Sequence, residues 1–348
     1  MQTLIQTKLK LEHHLKTIKS DSRLAIDTEF KRVNTYYPEL CLVQIATAHS
    51  AECIDVLSIN DLEPLFEKLY HNKTEWVVHS ARQDIEALYH LSKRIPVSLF
   101  DTQIAASLLN YSLQISYQSL TEILQDVQLA KTFTRFDWTT RPLPTNVVEY
   151  ALDDVRYLLP NFEKLKHKLT ISKKIQWLDE ETRFLLDQDL YEPNIEQICS
   201  KTKGFSQLGK KFQDKAIKLA AWREKNAQQK NKPRKWIMSD QKLLDYACGI
   251  SKLSTHSQKL FDDFVKDSSE TFTLSELLKP QKPLTSSEKN KKNELQRTIN
   301  SIAEGYNLPP EVISTSKSLI QFIRGDLSSP LCSGWRSKLF NKEKFDAK

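Results

Sequence analysis

Glycine is absent from the first 203 residues of this 348-residue chain, because all six glycines lie at or after Gly204. The loops that bind dinucleotides and nucleoside triphosphates need several glycines between a strand and a helix, so that the backbone can approach the phosphate groups. The N-terminal part of the chain therefore contains no dinucleotide fingerprint and no P-loop. We expect no nucleotide cofactor.

Cysteine is scarce and apolar runs are short. The five cysteines are scattered, with no pair at C-x-x-C spacing, which argues against both a disulfide framework and a structural zinc site. No run approaches the roughly 20 apolar residues of a membrane-spanning helix, and the first residues lack the apolar core of a signal peptide. These absences predict a cytoplasmic protein with free thiols.

Charge is distributed unevenly along the chain. Residues 1–200 contain 22 Lys and Arg against 28 Asp and Glu, a net charge of −6, whereas residues 201–348 contain 29 against 16, a net charge of +13. An acidic first part suits a cation site built from carboxylates, and a basic second part suits a polyanion such as nucleic acid. Lysine-rich surfaces also occur because they keep proteins in solution, so charge alone leaves both interpretations open.

Hydrophobic periodicity in the first part predicts a mixed α/β fold. Apolar runs typical of strands occupy residues 23–30, 40–47, 51–56, 75–79 and 98–100. Patterns typical of helices occupy residues 61–71, 81–91, 120–127 and 147–159, the last continuing after Pro160 towards residue 186. Asp101 is placed to cap a further helix that ends near residue 109, and residues 131–144 read as a loop.

The chain is long enough for two or three domains. Weakly patterned stretches at residues 191–203 and 281–287, marked by Pro193, Gly204 and Pro283, are candidate linkers. Beyond the first linker the pattern is helical throughout. We therefore predict domains at residues 1–192, 203–280 and 286–348.

Asp27 and Glu29 are two residues apart in the first predicted strand. Because side chains alternate across a strand, both carboxylates point to the same face. Two like charges side by side are costly to bury unless a cation lies between them, and hard divalent cations prefer oxygen ligands. Taken alone, however, such a pair is more often the exposed end of a strand.

Three further side chains follow at informative places. Asp84 comes five residues after the fourth predicted strand and opens the next helix, where an acid also complements the helix dipole. Tyr150 and Asp154 are four residues apart and share one face of a predicted helix, where the hydroxyl could orient a water or accept its proton. An ordinary amphipathic helix would show the same spacing, and Asp153 is the alternative acid.

The order of these features is more specific than any one of them. A D-x-E pair on the first strand, an Asp after the fourth and Y-x-x-x-D on a late helix resemble the three exonuclease motifs of the DEDD superfamily, in its tyrosine subclass. The other subclass has His five residues before the last Asp, and position 149 here is Glu.

Longer segments resemble the ribonuclease D family, and this resemblance spans nearly the whole chain. In the first part they are DTEFKR, TYYPELCLVQIA, HSARQDIEALYH, FDTQIAASLL, DWTTRPL and EYALDDVRYLLP. In the second part they are W-R-E from Trp222, K-P-R from Lys232, S-D from Ser239, and LPPEVISTSKSLIQFIRG. The later segments resemble a helical domain that helicases share with this family, present twice.

The resemblance implies a ribonuclease H-like nuclease domain, with a mixed sheet flanked by helices, followed by two all-α domains. It implies catalysis by Asp27, Glu29, Asp84, Tyr150 and Asp154, with the four carboxylates holding two divalent cations, Mg²⁺ or Mn²⁺. We expect a metal-dependent 3′→5′ exoribonuclease that releases nucleoside 5′-monophosphates and trims structured RNA such as precursor tRNA.

RNA contacts are predicted from position within the family-like segments and from charge. Residues expected near the RNA 3′ end are Gln44, His79, Gln83, Trp138 and Arg141. Residues expected to bind the phosphate backbone are Lys201, Lys203, Lys210, Lys211, Arg223, Lys232, Arg234 and Lys235. Trp222 is a candidate for stacking on a base, although its A-A-W-R segment is more typical of a buried helix face.

Three other interpretations remain open at this point. A DEDD exonuclease acting on DNA would carry the same motifs, since RNA selection rests on a contact to the 2′-hydroxyl that the sequence does not locate. A nucleic-acid binding module with an inactive nuclease fold would keep the basic helices. A soluble α/β protein whose acids all lie on the surface is the third interpretation, and it would require several family-like segments to occur in the right order by chance. We also expect a monomer.

Overall fold

The computed structural model describes residues 4–19, 23–130, 133, 135–267 and 282–340. Residues 131, 132 and 134 of the predicted loop, residue 281 of the second predicted linker, and the predicted domain ends at residues 1, 280 and 348 lie outside this part. Within it the predicted fold class is confirmed, with a mixed sheet flanked by helices and a helical C-terminal region. None of the described helices is long and apolar enough to cross a membrane.

A six-stranded sheet forms the centre of the first region, counted over the described residues. Its strands are β1 Leu4–Ile5, β2 Arg23–Lys31, β3 Glu39–Ala46, β4 Ala51–Ile54, β5 Glu75–Val78 and β6 Ser98–Asp101, in the spatial order β1-β4-β3-β2-β5-β6. The pairs β1–β4, β2–β5 and β5–β6 are parallel, and β3–β4 is antiparallel. β2, which carries Asp27 and Glu29, is therefore an interior strand.

Helices account for most of the remaining described structure. They are α1 Lys8–Thr17, α2 Glu63–Leu69, α3 Arg82–Ser92, α4 Thr102–Ser107, α5 Tyr117–Gln125, α6 Thr145–Arg156, α7 Leu158–Ile171, α8 Ile175–Thr182, α9 Ile195–Ser200, α10 Lys210–Gln229, α11 Arg234–Ile237, α12 Asp240–Ala247, α13 Thr255–Asp267, α14 Ser286–Tyr306, α15 Pro310–Ile313, α16 Ser316–Ile323 and α17 Gly334–Phe340. Asp101 caps α4 as predicted, because its carboxylate accepts from the N–H groups of Gln103 and Ile104.

The long helix predicted from residue 147 towards residue 186 is wrong. The chain instead forms α6, α7 and α8, with breaks at Tyr157 and at residues 172–174. Pro160 lies in the first turn of α7, where a missing N–H costs no helical hydrogen bond. Lys173 adopts a left-handed φ of 58°, which ends α7. Periodicity alone shows neither break, because the apolar spacing continues across both.

The chain divides into two compact units. The first comprises residues up to 31, residues 40–187 and residues from 284 onward, and the second comprises residues 32–39 and 188–283. In the first unit, Leu295, Ile299 and Trp335 of the C-terminal helices belong to the same hydrophobic core as Phe162 and Leu165 of α7. The proposed division into domains 1–192, 203–280 and 286–348 stays a prediction.

Polar contacts reinforce this shared core. Trp335 stacks on Trp177 with ring centroids 4.4 Å apart, and its indole N–H donates to Glu181 at 2.8 Å. Arg336 forms an ion pair with Glu181 through both terminal guanidinium nitrogens, Nη1 and Nη2. The Lys174 ammonium, which is buried, donates to the carbonyl oxygens of Leu108 and Tyr306 at 2.8 Å each. These contacts join α8 to the C-terminal helices.

The second unit is built around α10. Buried side chains of α10, including Ile217, Leu219 and Trp222, pack with Leu243 and Phe261 of the following helices. The loop of residues 32–39 belongs to this unit through Tyr36, whose hydroxyl donates to Glu224. The second unit thus has a hydrophobic core of its own.

We predict that Trp335→Ala destabilises the first unit by about 3–5 kcal/mol, because it removes a fully buried aromatic side chain and leaves a cavity. Urea denaturation of the full chain measures the loss. The control is Leu327→Ala, since Leu327 is 76% exposed and should change stability by less than about 0.5 kcal/mol. Equal stability of the two variants would contradict the shared core.

Candidate active site

Three carboxylates converge beside the central strand. Asp27 and Glu29 are partly exposed while Thr28 between them is buried, so both acids lie on the same face of β2, as predicted. Asp27, Glu29 and Asp154 of α6 each offer one carboxylate oxygen, and these three oxygens lie within 4.8 Å of one another. Among the described residues, this group has the composition and spacing of a cation site.

Asp84 is attached to the same strand by hydrogen bonds. It is buried in the first turn of α3, and its Oδ1 accepts from the backbone N–H of Thr28 at 3.1 Å and from the Thr28 hydroxyl at 2.6 Å. Both bonds use one oxygen and fix the orientation of the carboxyl group. Asp84 raises the pKa of both Asp27 and Glu29 by charge repulsion, which places it in the same electrostatic environment.

α6 supplies Tyr150 and Asp154 from one face. The helix packs against β2 and β4, and its buried side chains include Val148, Ala151 and Leu152. Asp153, the alternative acid, instead forms an ion pair with Arg156 at 2.6 Å. The structure therefore separates the two neighbouring acids, with Asp154 in the cluster and Asp153 outside it.

The end of α6 is held by Tyr117 of α5. The Tyr117 hydroxyl donates to the carbonyl oxygen of Asp153 at 3.0 Å and accepts from the backbone N–H of Tyr157 at 3.1 Å. These bonds satisfy backbone groups where α6 breaks and α7 begins. They also fix the turn of helix that carries Asp154.

Burial raises the pKa of every carboxyl in the cluster, and repulsion from acidic neighbours adds to it. Burial raises the pKa of Asp84 and that of Asp154 to about 7, with the charge of Asp153 adding to the effect on Asp154. The pKa of Glu29 rises to about 9 through burial and the charges of Asp154 and Asp84. Burial, followed by its acidic neighbours, also raises the pKa of Asp27 well above its ordinary range.

This arrangement fits a hard divalent cation. The donor atoms are carboxylate oxygens, the ligands that Mg²⁺ and Mn²⁺ prefer, and no sulfur or imidazole belongs to the group within the part of the chain described. A divalent charge would reverse the repulsion that now favours protonation. The cluster is thus suited to bind a cation, and without one the repulsion between its carboxylates costs free energy.

Tyr150 lies at the edge of the cluster. Its ring packs edge-on against Phe133 with centroids 5.7 Å apart. Burial, followed by the charges of Asp154, Glu29 and Asp27, raises the pKa of its hydroxyl well above its ordinary value of 10.0. The hydroxyl therefore keeps its proton at neutral pH and is suited to donate a hydrogen bond and orient a water.

Arg141, which was predicted to contact RNA, binds groups within the protein. Its guanidinium donates to both carboxylate oxygens of Asp55, at 2.8 and 2.6 Å, and to the carbonyl oxygens of Trp138, Thr140 and Cys41. All five N–H groups are therefore used inside the protein. Arg141 holds the loop before α6 to the sheet.

Three other residues that were predicted to contact RNA are buried or already hydrogen-bonded. Both ring nitrogens of His79 are hydrogen-bonded, one to the Thr102 hydroxyl and one to the Ile115 carbonyl oxygen, each at 2.9 Å. Trp138 is buried beneath the loop in the core beside α6. Gln44 is fully buried on β3. Gln44 and Trp138 therefore lie in the interior, and His79 is half-buried with both ring nitrogens already hydrogen-bonded.

Arg223 is likewise removed from the phosphate-binding set. It is 1% exposed, and its guanidinium pairs with Asp240 at 2.7 Å and donates to the Thr202 hydroxyl at 2.9 Å. Trp222, the candidate for base stacking, is buried in the same core. The predicted RNA-binding residues that remain exposed are Gln83, Lys201, Lys203, Lys210, Lys211, Lys232 and Lys235, while Arg234 is half-buried beside Glu224.

The structure adds two positioning residues that the sequence interpretation missed. Thr28 orients Asp84, and Tyr117 fixes the end of α6. Thr28 is the middle residue of D-x-E, and its burial between two acids was a signal available from strand alternation. Tyr117 lies 36 residues before Asp153, and no local pattern connects them.

The sequence of this chain is similar to those of known nucleases. A family model described as a 3′-5′ exonuclease matches residues 2–170. Ribonuclease D of Bartonella henselae is 34% identical over 99% of this chain and 89% of that protein. Ribonuclease D of Jannaschia sp. is 31% identical over 92% of this chain and 88% of that protein.

Solved structures share the fold. The crystal structure of Escherichia coli RNase D superposes with a TM-score of 0.83 at 24% identity, covering 99% of this chain and 97% of that one. The catalytic core of RRP6 from Trypanosoma brucei gives a TM-score of 0.54 at 22% identity, covering 76% and 80%. At these identities the likeness concerns the fold.

We predict that Asp154→Asn stabilises the metal-free protein, increasingly as the pH rises from about 4 to about 7. The pKa of Asp154 is about 7 against an ordinary 3.8, so the folded wild type retains a proton that the unfolded chain releases. The contribution of Asp154 to the stability of the wild type is therefore present below about pH 4 and is lost as the pH rises through 7. Thermal melting in EDTA should show the variant about 2 °C or more above wild type at pH 8.

Divalent cation should reverse this order. Mn²⁺ should raise the melting temperature of the wild type and leave Asp154→Asn largely unshifted, because binding to the folded state alone is stabilising. Asp153→Asn is the matched control and should respond like the wild type, since Asp153 pairs with Arg156. A Mn²⁺ response that survives in Asp154→Asn would contradict the site.

Proposed function

This chain belongs to the ribonuclease D family and is a 3′→5′ exoribonuclease, and from this premise we propose that it trims the 3′ ends of structured RNA such as precursor tRNA, using two divalent cations. The observation that carries the proposal is the convergence of Asp27, Glu29 and Asp154 within 4.8 Å. Asp84, tied to the same strand, completes a set of four carboxylates. The reaction is hydrolysis of the terminal phosphodiester, with release of a nucleoside 5′-monophosphate.

The four carboxylates would hold the cations, which we propose to be Mg²⁺ or Mn²⁺. When bound, two such ions supply a lowered pKa for the attacking water and neutralise negative charge on the phosphate and the leaving 3′ oxygen. Four carboxylates balance two divalent charges, which supports the number two. The raised pKa values of Glu29 and Asp154 support strong coupling between cation binding and proton release.

The chain's own groups have separate tasks in the proposed reaction. Tyr150 stays protonated and orients the attacking water through its hydroxyl. Thr28 holds Asp84 in one orientation, and Tyr117 holds the helical turn that carries Asp154. Positioning of this kind lowers the activation barrier because the groups need little rearrangement when the substrate binds.

The substrate proposal rests on charge and on the family. The exposed lysines Lys201, Lys203, Lys210, Lys211 and Lys235 support binding to the phosphate backbone of a large RNA. Escherichia coli RNase D is described as an exoribonuclease involved in structured RNA processing, which supports the same class here. We further propose that the protein acts as a monomer in the cytoplasm.

We predict that Asp154→Asn lowers kcat by roughly 100-fold or more, because it removes a direct cation ligand and even outer partners of metal ligands cost 10–100-fold. Asp153→Asn, one residue away and paired with Arg156, should stay within about 3-fold of wild type. The measurement is shortening of a 5′-labelled RNA with an extended 3′ end, in Mg²⁺ and in EDTA. Equal activity of the two variants would reject the assignment.

We predict that Tyr150→Phe lowers kcat by about 100-fold with little change in KM, because only the water-orienting hydroxyl is lost. The ring packing against Phe133 remains, so folding should be unaffected. Single-turnover kinetics on the same RNA separates the chemical step from binding. A change in KM alone would show that Tyr150 serves binding instead.

The same assay distinguishes the other interpretations. Faster shortening of a matched DNA than of RNA would identify a deoxyribonuclease. Salt-sensitive RNA binding without cleavage in Mg²⁺ or Mn²⁺ would identify a binding module with an inactive site.

A further inference from the structure

Trp236 differs from the other five tryptophans in its exposure. It is 60% exposed on α11, whereas Trp76, Trp138, Trp222 and Trp335 are buried and Trp177 is stacked on Trp335. Single exposed aromatic residues are common on protein surfaces, so exposure alone indicates no function. The residues around Trp236 provide the further evidence that a function requires.

The segment around Trp236 is strongly basic. Residues 225–239 contain five cationic side chains and no carboxylate. Lys225, Lys230, Lys232 and Lys235 are exposed, and the Lys232 ammonium lies 5.7 Å from the centroid of the Trp236 ring. An aromatic ring framed by cations is complementary to a chain that alternates bases with phosphates.

The loop that carries Trp236 is held in place by hydrogen bonds. Asn231 adopts a left-handed φ of 45°, and its side-chain oxygen accepts from the backbone N–H groups of Tyr36 and Tyr37 at 3.0 Å each. The backbone N–H of Lys232 donates to the Ala227 carbonyl oxygen at 2.9 Å. The surface is therefore ordered before a ligand arrives, which reduces the entropy lost on binding.

The residues on either side of Trp236 explain why its ring faces outward. Arg234 turns back towards Glu224 and the Tyr36 ring, and Met238 is buried in the core of the second unit. The backbone of α11 is thus anchored on both sides of Trp236. An exposed ring on an anchored turn is a stacking platform that needs no rearrangement.

We propose that Trp236, with Lys232 and Lys235, forms a binding site for unpaired RNA, in which a base stacks on the indole and flanking phosphates contact the lysines. The inference rests on the proposed function and deepens it, because it assigns part of substrate binding to single-stranded nucleotides. Paired bases are already stacked in a duplex, so the site selects RNA with an unpaired segment. The site reads no base edge and so gives no sequence preference.

The test uses the full chain carrying Asp154→Asn, in EDTA, so that RNA is bound without being cut. Fluorescence anisotropy compares a hairpin that has an unpaired 3′ tail of about 10 nucleotides with a blunt hairpin of equal charge. Trp236→Ala should weaken binding of the tailed RNA by about 5-fold or more and leave the blunt RNA unchanged. Trp236→Phe should restore most of the affinity.

Two controls separate stacking from charge. Ile250→Ala removes an apolar side chain that is 76% exposed in the same unit, and it should leave the affinity for both RNAs unchanged. Lys235→Ala should reduce the slope of log affinity against log salt concentration by about 1, whereas Trp236→Ala should leave that slope unchanged because it removes no charge.

The outcomes also separate this proposal from the assignment of function. Equal affinity of wild type and Trp236→Ala for the tailed RNA, or equal loss on both hairpins, would overturn the stacking site while leaving exoribonuclease activity untouched. Displacement of the tailed RNA by polyglutamate at matched charge would overturn it in favour of an acidic protein partner. Absence of cleavage by the unmodified chain would instead reject the proposed function.

Discussion

Repulsion among carboxylates that are held together away from bulk water is the constraint on which this structure depends. Asp27 and Glu29 are brought together by strand alternation, and Asp154 is brought to them by α6. In the absence of cations, the molecule responds by retaining protons, as the pKa of about 9 for Glu29 indicates. Rigid packing around the cluster is therefore needed, because a flexible site would separate the charges.

The surrounding fold supplies that rigidity through neutral hydrogen bonds. Thr28 and Tyr117 hold Asp84 and the end of α6 without adding charge to the cluster. The positive charge of Arg141 is neutralised by Asp55, with which it forms an ion pair. The pKa values of the four acids are set by burial, acidic neighbours and hydrogen bonds, so a divalent ion that binds there displaces protons.

Sequence reasoning predicted those parts of the molecule that have a local signature. The D-x-E spacing and the one-turn spacing of Tyr150 and Asp154 follow from strand and helix geometry, so both pairs could be placed on their faces. The internal role of Arg141 could not be predicted, because its partner Asp55 lies 86 residues away and basic residues in loops usually face solvent. β1 was missed because a two-residue strand has no periodicity, and α1 because only Leu11 and Leu15 of its ten residues are buried.

The core shared between α7 and the C-terminal helices has a consequence for synthesis of the protein. Domains generally fold as units as they leave the ribosome. Here Trp335 packs with residues of the nuclease sheet's own helices, and Lys174 and Glu181 find their partners beyond residue 300. A nascent chain that already contains the complete active site still lacks part of its hydrophobic core, so the first unit can complete its folding only after the helices that follow residue 284 have been synthesised.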